Sequence, residues 1–384
     1  MSSRHLTLGL VASSTKENEK RVAIHPAHFR RIDEETRRYV YAERGFGRDF
    51  RIPDEEFEPH VAGLMEREEL FERCDAVMIF KPTAKDFRFF REGQVLWGAV
   101  HCVQNEDIVE LAIDKKLTYI AMEHMFHWGR DGTKGVWLFH TQSELAGYCS
   151  VLHSLQLLGI RGWHDQQKRC AIISYGSVGR GAMEALRAMD FHDVTAFTQR
   201  PPVGVMWNIP AVKLGQYMRG PDNSSKTVVR TDDDRLVPFG EVLAGYDIIV
   251  NAVLQDTDRP LMFASRDEVD RFRRNTLIVD VSCDRGMGFE FARPTTFDEP
   301  LLEVGPGLLY YAVDHSPSYL FNTASLEHSK EAWPYVRDVV RGEDAWRANP
   351  TVGRAIDIER GVIKDEKILT YQNREGAYPH VKLG

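Results

Sequence analysis

Short apolar runs alternate with polar stretches of helical periodicity in the first third of the chain. The runs cover residues 6–12, 39–42, 76–80, 94–100 and 117–122, and a helix is predicted at 26–35, where a proline occupies the first turn. Runs that stay apolar at successive positions are typical of strands buried on both faces. Strands that alternate with helices predict a parallel, doubly wound sheet.

The same pattern returns after a long, mostly apolar helix predicted at 143–158. Strands are predicted at 170–174, 194–198, 247–252 and 277–281, with a helix at 180–189. The segment 207–238 is rich in Gly, Asn, Asp, Ser and Lys and predicts a loop. A chain of 384 residues is too long for one ordinary core. We therefore predict two α/β domains and a final segment, helical at 325–340, that packs on one of them.

Composition excludes several classes of function. The net charge is −8 and no long basic block is present, so the phosphate backbone of a nucleic acid is not the expected partner. No apolar stretch reaches the ~18 residues of a membrane span, and the first apolar run is interpreted as a strand rather than a signal sequence. The five cysteines are scattered and form no paired motif, which predicts reduced thiols in the cytoplasm and no metal site.

A glycine-rich turn follows the first strand of the second domain. The segment 169–182 runs from an apolar strand into a turn with Ser174, Gly176, Ser177, Val178 and Gly179, and then into an alanine-rich helix. Glycines let the backbone approach a pyrophosphate, and a helix N-terminus offers N–H groups and a positive dipole end. The turn predicts a Rossmann-like dinucleotide site, although such turns also occur without a ligand.

The end of the next strand predicts which dinucleotide is bound. An Asp or Glu about 20 residues past the turn pairs with a free ribose 2′-hydroxyl. This chain has Thr198 there, and Arg200 follows. A guanidinium suits a 2′-phosphate, because that pairing is charge-assisted and can be bidentate. We therefore predict NADPH over NAD(H); the alternative is that Arg200 is a solvated loop charge.

Four residues with useful chemistry stand at strand ends or turns. Arg21 and Lys81 are cations suited to a 2-oxo acid, and His101 is a proton carrier near neutral pH. Asp284 follows the run 277–283 and could hold an amine or a water. Taken singly, each has a simpler interpretation, as a solvated charge or a satisfied core histidine.

Several motifs occur in order along nearly the whole chain. They are E-K-R-V-A-I-H-P at 19–26, D-A-V-M-I-F-K-P at 75–82, R-E-G-Q-V-L-W-G-A-V-H at 91–101, S-E-L-A-G-Y at 143–148, N-A-V-L at 251–254, V-D-V-S-C-D-R-G at 279–286, R-P-T-T-F-D-E-P at 293–300 and W-R-A-N-P at 346–350. Through these motifs the chain resembles the alanine dehydrogenase family, and within it the N5-(carboxyethyl)ornithine synthases most of all.

The resemblance implies a role for each matched position. It makes Lys81 the substrate lysine, His101 the catalytic histidine and Asp284 the active-site aspartate. The cofactor would be contacted by residues of three further segments, which are Ser143, the loop Ala252, Val253 and Leu254, and the nucleotide loop with His315 and Pro317. It also implies a substrate domain at 1–142 plus 318–384, a dinucleotide domain at 143–317, an active site in the interdomain cleft and a homo-oligomer.

The departures from the family pattern shape the predicted reaction. Ser174 replaces the first glycine of the fingerprint and Thr198 replaces the acid that selects NAD, while 126–130 and 208–236 have no clear counterpart. We predict an NADPH-dependent reductive amination of a small, pyruvate-like 2-oxo acid with an amino acid such as ornithine or lysine. One alternative is an alanine dehydrogenase that uses ammonia. Another is a non-catalytic nucleotide-binding module of the transhydrogenase type.

Overall fold

Strands and helices alternate through both halves of the computed structural model. It describes residues 4–163, 166–201, 212–221, 224–231 and 233–383. Two units are distinguished, Met1–His140 with Leu320–Gly384 and Thr141–Tyr319. The predicted bounds, after residues 142 and 317, lie within two residues of these.

The strands are numbered here in chain order. They are β1 (Leu8–Leu10), β2 (Val40–Glu43), β3 (Gly63–Met65), β4 (Ala76–Ile79), β5 (Val95–Gly98), β6 (Thr118–Ala121), β7 (Phe126–Trp128), β8 (Lys134–Trp137), β9 (Cys170–Ile173), β10 (Val194–Thr198), β11 (Val212–Arg219), β12 (Thr227–Arg230), β13 (Leu236–Pro238), β14 (Ile248–Asn251), β15 (Met262–Ala264), β16 (Thr276–Asp280), β17 (Gly288–Phe289), β18 (Leu301–Gly305), β19 (Leu308–Tyr311), β20 (Ile356–Glu359) and β21 (Val362–Ile363).

The helices are short except for three. They are α1 (Glu34–Arg37), α2 (Asp54–Phe57), α3 (Arg67–Arg73), α4 (Glu106–Asp114), α5 (His140–Leu157), α6 (Ser177–Ala188), α7 (Phe239–Leu243), α8 (Phe321–Ala332), α9 (Val336–Arg341), α10 (Glu343–Ala348), α11 (Pro350–Gly353) and α12 (Glu366–Tyr371). Turns of 3-10 helix lie at Pro26–Arg31, Arg48–Phe50, Glu58–His60, Asp86–Phe89, Met122–His124, Arg266–Arg271, Ser316–Leu320 and Trp333–Tyr335.

Both units contain a Rossmann-like sheet. In the first unit the described strands follow the order β21-β20-β6-β5-β4-β1-β2-β3, with β20 and β21 antiparallel and the other six parallel. In the second unit they follow β13-β12-β11-β10-β9-β14-β16-β19-β18, and the six from β11 to β19 are parallel. Each parallel set has the strand order 3-2-1-4-5-6 of a dinucleotide-binding sheet.

Each sheet carries an apolar core on both faces. In β4, Val77 and Ile79 pack in one core and Met78 packs in the other. In β9, Ile173 packs in one core of the second unit and Ile172 packs in the other. Alternation across a sheet that is covered on both sides explains why these strands are apolar at every position. The predicted fold class is confirmed.

The predicted helix at 26–35 is wrong in its extent. Pro26 opens a 3-10 turn that ends at Arg31, and α1 begins separately at Glu34. The division falls at Asp33, whose Oδ1 accepts the Thr36 N–H at 2.9 Å. An aspartate in this position is a strong helix N-cap, so a new helix begins there.

The predicted loop at 207–238 is also wrong over its described part, where β11, β12 and β13 form an antiparallel extension of the second sheet. Tyr217 and Val229 are buried, whereas Lys213 and Arg230 are exposed. A strand with one face exposed to solvent has polar residues at about half its positions. Its composition therefore resembles that of a loop, which is why the prediction from composition is wrong. Residues 207–211 lie outside the described part.

Segment 126–130, which has no clear counterpart in the family pattern, contributes to a hairpin of β7 and β8.

Among the described residues, no helix combines the length and apolar character that crossing a bilayer requires.

Candidate active site

Lys81 and His101 stand in neighbouring loops at one edge of the first sheet. Lys81 follows β4 and His101 follows β5, and these strands are parallel partners in register from Ala76 opposite Val95. The carboxyl ends of parallel strands meet at the same edge, which is where open α/β sheets place their ligands. The structure therefore brings the predicted substrate lysine and the predicted catalytic histidine to one side of the first unit.

Both residues have a left-handed backbone, with φ of 46° at Lys81 and 48° at His101. Ser174 and Cys283 of the second unit share this feature, with φ of 78° and 49°. Residues other than glycine pay a steric penalty in this region, of order 1–3 kcal/mol, and such strain concentrates at functional sites. Four of the strand-end loops selected from the sequence thus carry this backbone feature.

Arg21 is held in a fixed orientation. It lies in the segment after β1, and its guanidinium stacks over the Phe80 ring at 4.5 Å from the ring centre. Its Nε and Nη2 donate to the two carboxylate oxygens of Glu19 at 2.8 and 2.5 Å. Because both side chains are buried, the pair is rigid and desolvated. Contact with Phe80, the residue before Lys81, places the two predicted cations on the same part of the unit.

Glu123 is a site residue that the sequence analysis missed. It follows β6, the next parallel strand after β5, and its Oε1 accepts the backbone N–H of His101. Burial and the charge of Asp357 raise the pKa of Glu123 to about 7. A carboxyl with a perturbed pKa beside a catalytic candidate is typical of active sites. The strand-end rule that selected Lys81 and His101 would also have found Glu123.

The glycine turn of the second unit adopts the expected strand–turn–helix form. Gly176 precedes α6 with φ of −88°, and a Cβ built on it would meet no atom within 4 Å, so the space above the turn is open. At Gly179, a Cβ would lie 2.3 Å from the Ser174 carbonyl oxygen, so only glycine allows the helix to approach the strand end. These are the two glycine roles that a pyrophosphate site requires.

Helix α5 crosses α6 at very short range. A Cβ on Gly147 would lie 1.9 Å from the Val178 carbonyl oxygen, and one on Gly181 would lie 1.8 Å from the Glu144 carbonyl oxygen. Ser143 lies one turn before Gly147 on the same face of α5, because residues four apart in a helix are neighbours. Glu144, the residue after Ser143, contacts Gly181, so Ser143 lies beside this helix crossing.

Thr198 and Arg200 lie at the edge where the glycine turn ends. Thr198 is the last residue of β10, the parallel neighbour of β9, and is buried. Its Oγ1 accepts the Arg200 N–H at 3.2 Å, and the Arg200 side chain is exposed. No carboxylate occupies the last position of this strand.

The loop after β14 contains Ala252, Val253 and Leu254. The Ala252 N–H donates to the Ile173 carbonyl at 2.9 Å, which ties this loop to the strand before the glycine turn. Ala252 and Val253 are buried, whereas Leu254 is 96% exposed. Leu254 is therefore the exposed tip of a loop whose other two residues are packed.

A buried carboxylate network supports the neighbouring loop. Asp280 ends β16 and accepts hydrogen bonds from Tyr310 Oη at 2.8 Å and Asn251 Nδ2 at 2.9 Å. It also accepts the Cys283 N–H at 3.1 Å, which shapes the turn that carries Asp284. Burial raises the pKa of Asp280 to about 6 and raises the pKa of Asp284. Asp280 belongs to the motif at 279–286, and the sequence alone indicates no role for it.

His315 and Pro317 follow β19, the last parallel strand of this unit, and both are buried. The His315 ring bonds Asp314 Oδ1 through Nδ1 at 2.7 Å and packs edge-on against Phe297. Ser316 between them donates to the Ala146 carbonyl at 3.2 Å, so this loop is anchored on α5. The predicted cofactor positions thus lie on α5, in the first turn of α6, at the end of β10 or in loops at one edge of the second sheet.

The chain matches two family models. Residues 10–146 match the model described as "Alanine dehydrogenase/PNT, N-terminal domain", and residues 166–366 match "Alanine dehydrogenase/PNT, C-terminal domain". Together they cover most of both units.

Curated relatives and a solved structure agree with this match. An N(5)-(carboxyethyl)ornithine synthase of Clostridium botulinum is 27% identical over 80% of this chain and 87% of its own. An alanine dehydrogenase 1 of Staphylococcus aureus is 21% identical over 94% of this chain and 95% of its own. A solved L-alanine dehydrogenase covers 95% of this chain and 99% of its own with a TM-score of 0.73 at 18% identity, a similarity that establishes the fold.

Proposed function

Because the chain belongs to the alanine dehydrogenase/PNT family, we propose that it is an NADPH-dependent oxidoreductase that reduces the imine of a pyruvate-like 2-oxo acid and an amino acid. Two observations together carry the proposal. Lys81 and His101 stand at the ends of adjacent strands in one unit, and the other unit has a glycine turn before α6. The product is an N-(1-carboxyalkyl) amino acid.

The first unit is proposed to bind the 2-oxo acid. Arg21 and Lys81 provide two positive charges, one for the carboxylate and one for the carbonyl oxygen. Glu19 holds the Arg21 fork in one orientation, which lowers the entropy lost when an anion binds. A fixed cation selects substrates with a carboxylate beside the carbonyl.

His101 is proposed to move the proton that the chemistry requires. Addition of an amine to the carbonyl gives a carbinolamine, and its hydroxyl leaves as water only after it gains a proton. An imidazole with a pKa near neutrality can donate that proton and recover one from the attacking amine. Glu123 fixes the backbone of His101, while Asp284 is proposed to hold the amine nitrogen.

The second unit fits a nicotinamide dinucleotide. Gly176 leaves open space above the N-terminus of α6, where a methyl group would obstruct a pyrophosphate. The other contacts are proposed for Ser143, Ser174, Ser177, Val178, Gly179, Ala252, Val253, Leu254, His315 and Pro317. Thr198 and Arg200 are proposed to accept the 2′-phosphate. When bound, NADPH supplies the hydride that reduces the imine carbon.

Two relatives point to different amine substrates. The similarity to N(5)-(carboxyethyl)ornithine synthase favours an amino acid such as ornithine or lysine. The similarity to alanine dehydrogenase 1 favours ammonia, with alanine as the product. The neutral Thr198 is more compatible with an NADP-dependent synthase than with an enzyme that selects the ribose hydroxyls of NAD.

The test is an assay of NADPH oxidation with pyruvate and, in turn, ornithine, lysine and ammonia, with products identified by mass spectrometry. We expect an N-(1-carboxyethyl) amino acid, and higher kcat/KM with NADPH than with NADH. The variant His101→Asn should lower kcat/KM by about 10²–10⁴ without changing NADPH affinity. Turnover with ammonia alone would establish the alanine dehydrogenase alternative. Tight NADPH binding with no oxidation by any amine would favour a non-catalytic module of transhydrogenase type and refute the proposal.

A further inference from the structure

A group of metal-ligating side chains lies behind the His101 loop, within the first unit. Donor atoms of His124, Asp357 and Asp365 all lie within 4.8 Å of one another. His124 Nδ1 and Asp357 Oδ1 are 2.6 Å apart. Asp357 is only 2% exposed, and its side chain has no hydrogen-bond partner outside this group among the described residues.

Two of these carboxylates hold an oxygen that lacks any partner. Asp357 Oδ2 and Asp365 Oδ2 are buried and accept no hydrogen bond from the described chain. The same is true of Oε2 of Glu123, which precedes His124 in sequence. A buried carboxylate oxygen is normally satisfied by a donor, a water or an ion, because desolvation without compensation is expensive.

Charge balance points in the same direction. Two carboxylates face one imidazole, and no lysine or arginine of the described chain forms an ion pair with Asp357 or Asp365. Elsewhere in this unit, buried acids are matched by a cation, as Glu19 is by Arg21. The local deficit of positive charge is what a divalent ion would neutralise.

We propose that His124, Asp357 and Asp365 bind a divalent transition-metal ion of the Zn²⁺ or Mn²⁺ class. One imidazole nitrogen and two carboxylate oxygens suit these ions. Ligands about 2.1 Å from one ion lie about 3.4 Å apart in a tetrahedral site, so the widest pair has to close by up to about 1.4 Å and the pair of His124 Nδ1 and Asp357 Oδ1 has to open by about 0.8 Å. The ion takes the place of the hydrogen bond between His124 Nδ1 and Asp357 Oδ1, and the imidazole binds it in the neutral form that carries its proton on Nε2.

The backbone holds the three ligands in place without the ion. Asp365 caps α12 by accepting the Lys367 N–H at Oδ1, 3.0 Å away. The Asp357 carbonyl accepts the N–H groups of Lys364 at 2.7 Å and Asp365 at 3.3 Å. β20, which carries Asp357, pairs with β6, and His124 lies in the turn after β6. Binding would therefore need movement of side chains only, with little reorganisation of the backbone.

The sequence alone does not predict this site, because His124 and Asp357 are 233 positions apart. An ion there would join the C-terminal hairpin to the turn that carries Glu123, which in turn accepts the His101 N–H. Its expected contribution is structural. The inference does not depend on the proposed reaction, and neither its success nor its failure bears on NADPH oxidation.

The experiment measures metal binding by the full chain. Protein dialysed against EDTA is titrated with ZnCl₂ or MnCl₂, and bound metal is counted by mass spectrometry while the thermal midpoint is followed. We expect one ion per chain and a rise in the midpoint. The variants His124→Gln and Asp365→Asn should bind at least 100-fold more weakly. His127→Gln and Glu366→Gln, which change exposed neighbours outside the group, are matched controls and should bind as the wild type does.

Each possible result of this experiment either supports or overturns the proposed metal site. No bound ion in wild-type protein with either metal, or equal binding by all four variants, would overturn the proposal. Asparagine keeps the helix cap at position 365, so Asp365→Asn is expected to fold. If both ligand variants unfold, anomalous diffraction from zinc-soaked wild-type crystals decides. A peak at these three residues supports the site, and a peak only elsewhere overturns it.

Discussion

The crossing of α5 and α6 gives a sharp prediction for Gly181→Ala. The new methyl carbon would lie 1.8 Å from the Glu144 carbonyl oxygen, and 2.6 Å from the Glu144 carbonyl carbon. Real contacts of this kind are rarely shorter than 3.4 Å, so the helices must separate by roughly 1.5 Å. The obstacle is main chain, which cannot rotate aside as a side chain can.

The size of the effect follows from packing costs. Forcing one methyl into a filled contact typically costs about 1–3 kcal/mol, and a backbone obstacle places this variant at the upper end. For a unit of this size, each kcal/mol lowers the midpoint by about 2–4 °C. We therefore expect the thermal midpoint of the second unit to fall by about 6–12 °C in differential scanning calorimetry.

Gly176→Ala is the matched control. Its methyl would meet no atom within 4 Å, and φ of −88° suits alanine. We expect a midpoint within about 1 °C of the wild type, but at least tenfold weaker NADPH binding by fluorescence titration, because the methyl fills the approach of the pyrophosphate. An unchanged midpoint for Gly181→Ala would refute the packing argument. Unchanged NADPH affinity for Gly176→Ala would refute the location of the cofactor.

Three further predictions concern charge. Thr198→Asp should shift the ratio of kcat/KM for NADPH and NADH at least 100-fold towards NADH, because a carboxylate repels the 2′-phosphate and accepts the ribose hydroxyls; an unchanged ratio in steady-state kinetics would place the 2′-phosphate elsewhere. Glu19→Gln should lower the free energy of unfolding by about 3–5 kcal/mol in urea titrations, because it removes one charge of a buried ion pair; a loss below about 1 kcal/mol would contradict this. Burial raises the pKa of Asp280 from 3.8 to about 6, so the folded chain holds this proton more tightly than the unfolded chain. The free energy of unfolding should therefore fall by about 2 kcal/mol as pH rises from 4 to 6, out of about 3 kcal/mol between roughly pH 3 and pH 7, and Asp280→Asn should flatten that part of the urea-derived pH profile.

The fold was predictable from local signals because parallel strands buried on both faces have a simple pattern. The run that contains β4 is apolar at every position, and Lys81 follows where it ends. The glycine turn at Ser174 was equally visible, because its chemistry depends on residues adjacent in sequence. These signals located most of the proposed site.

Features that depend on distant contacts could not be predicted. The need for glycine at 181 is set by the Glu144 carbonyl on another helix. The composition of β11 predicts a loop because its solvent-exposed face is polar, and the burial of Tyr217 depends on the sheet beside it. The role of Asp280 depends on Tyr310, which donates to it from a neighbouring strand.

The first unit is assembled from two segments, and this has a consequence for synthesis on the ribosome. β20 pairs with β6 only after Ile356 has been translated, and the Leu6 N–H bonds the Val340 carbonyl at 2.7 Å. The second unit, an uninterrupted stretch, can fold while the earlier unit still has β6 as an open edge. Exposed edges recruit other strands, so a nascent chain stalled before β20 is the stage most open to aggregation and to chaperone binding.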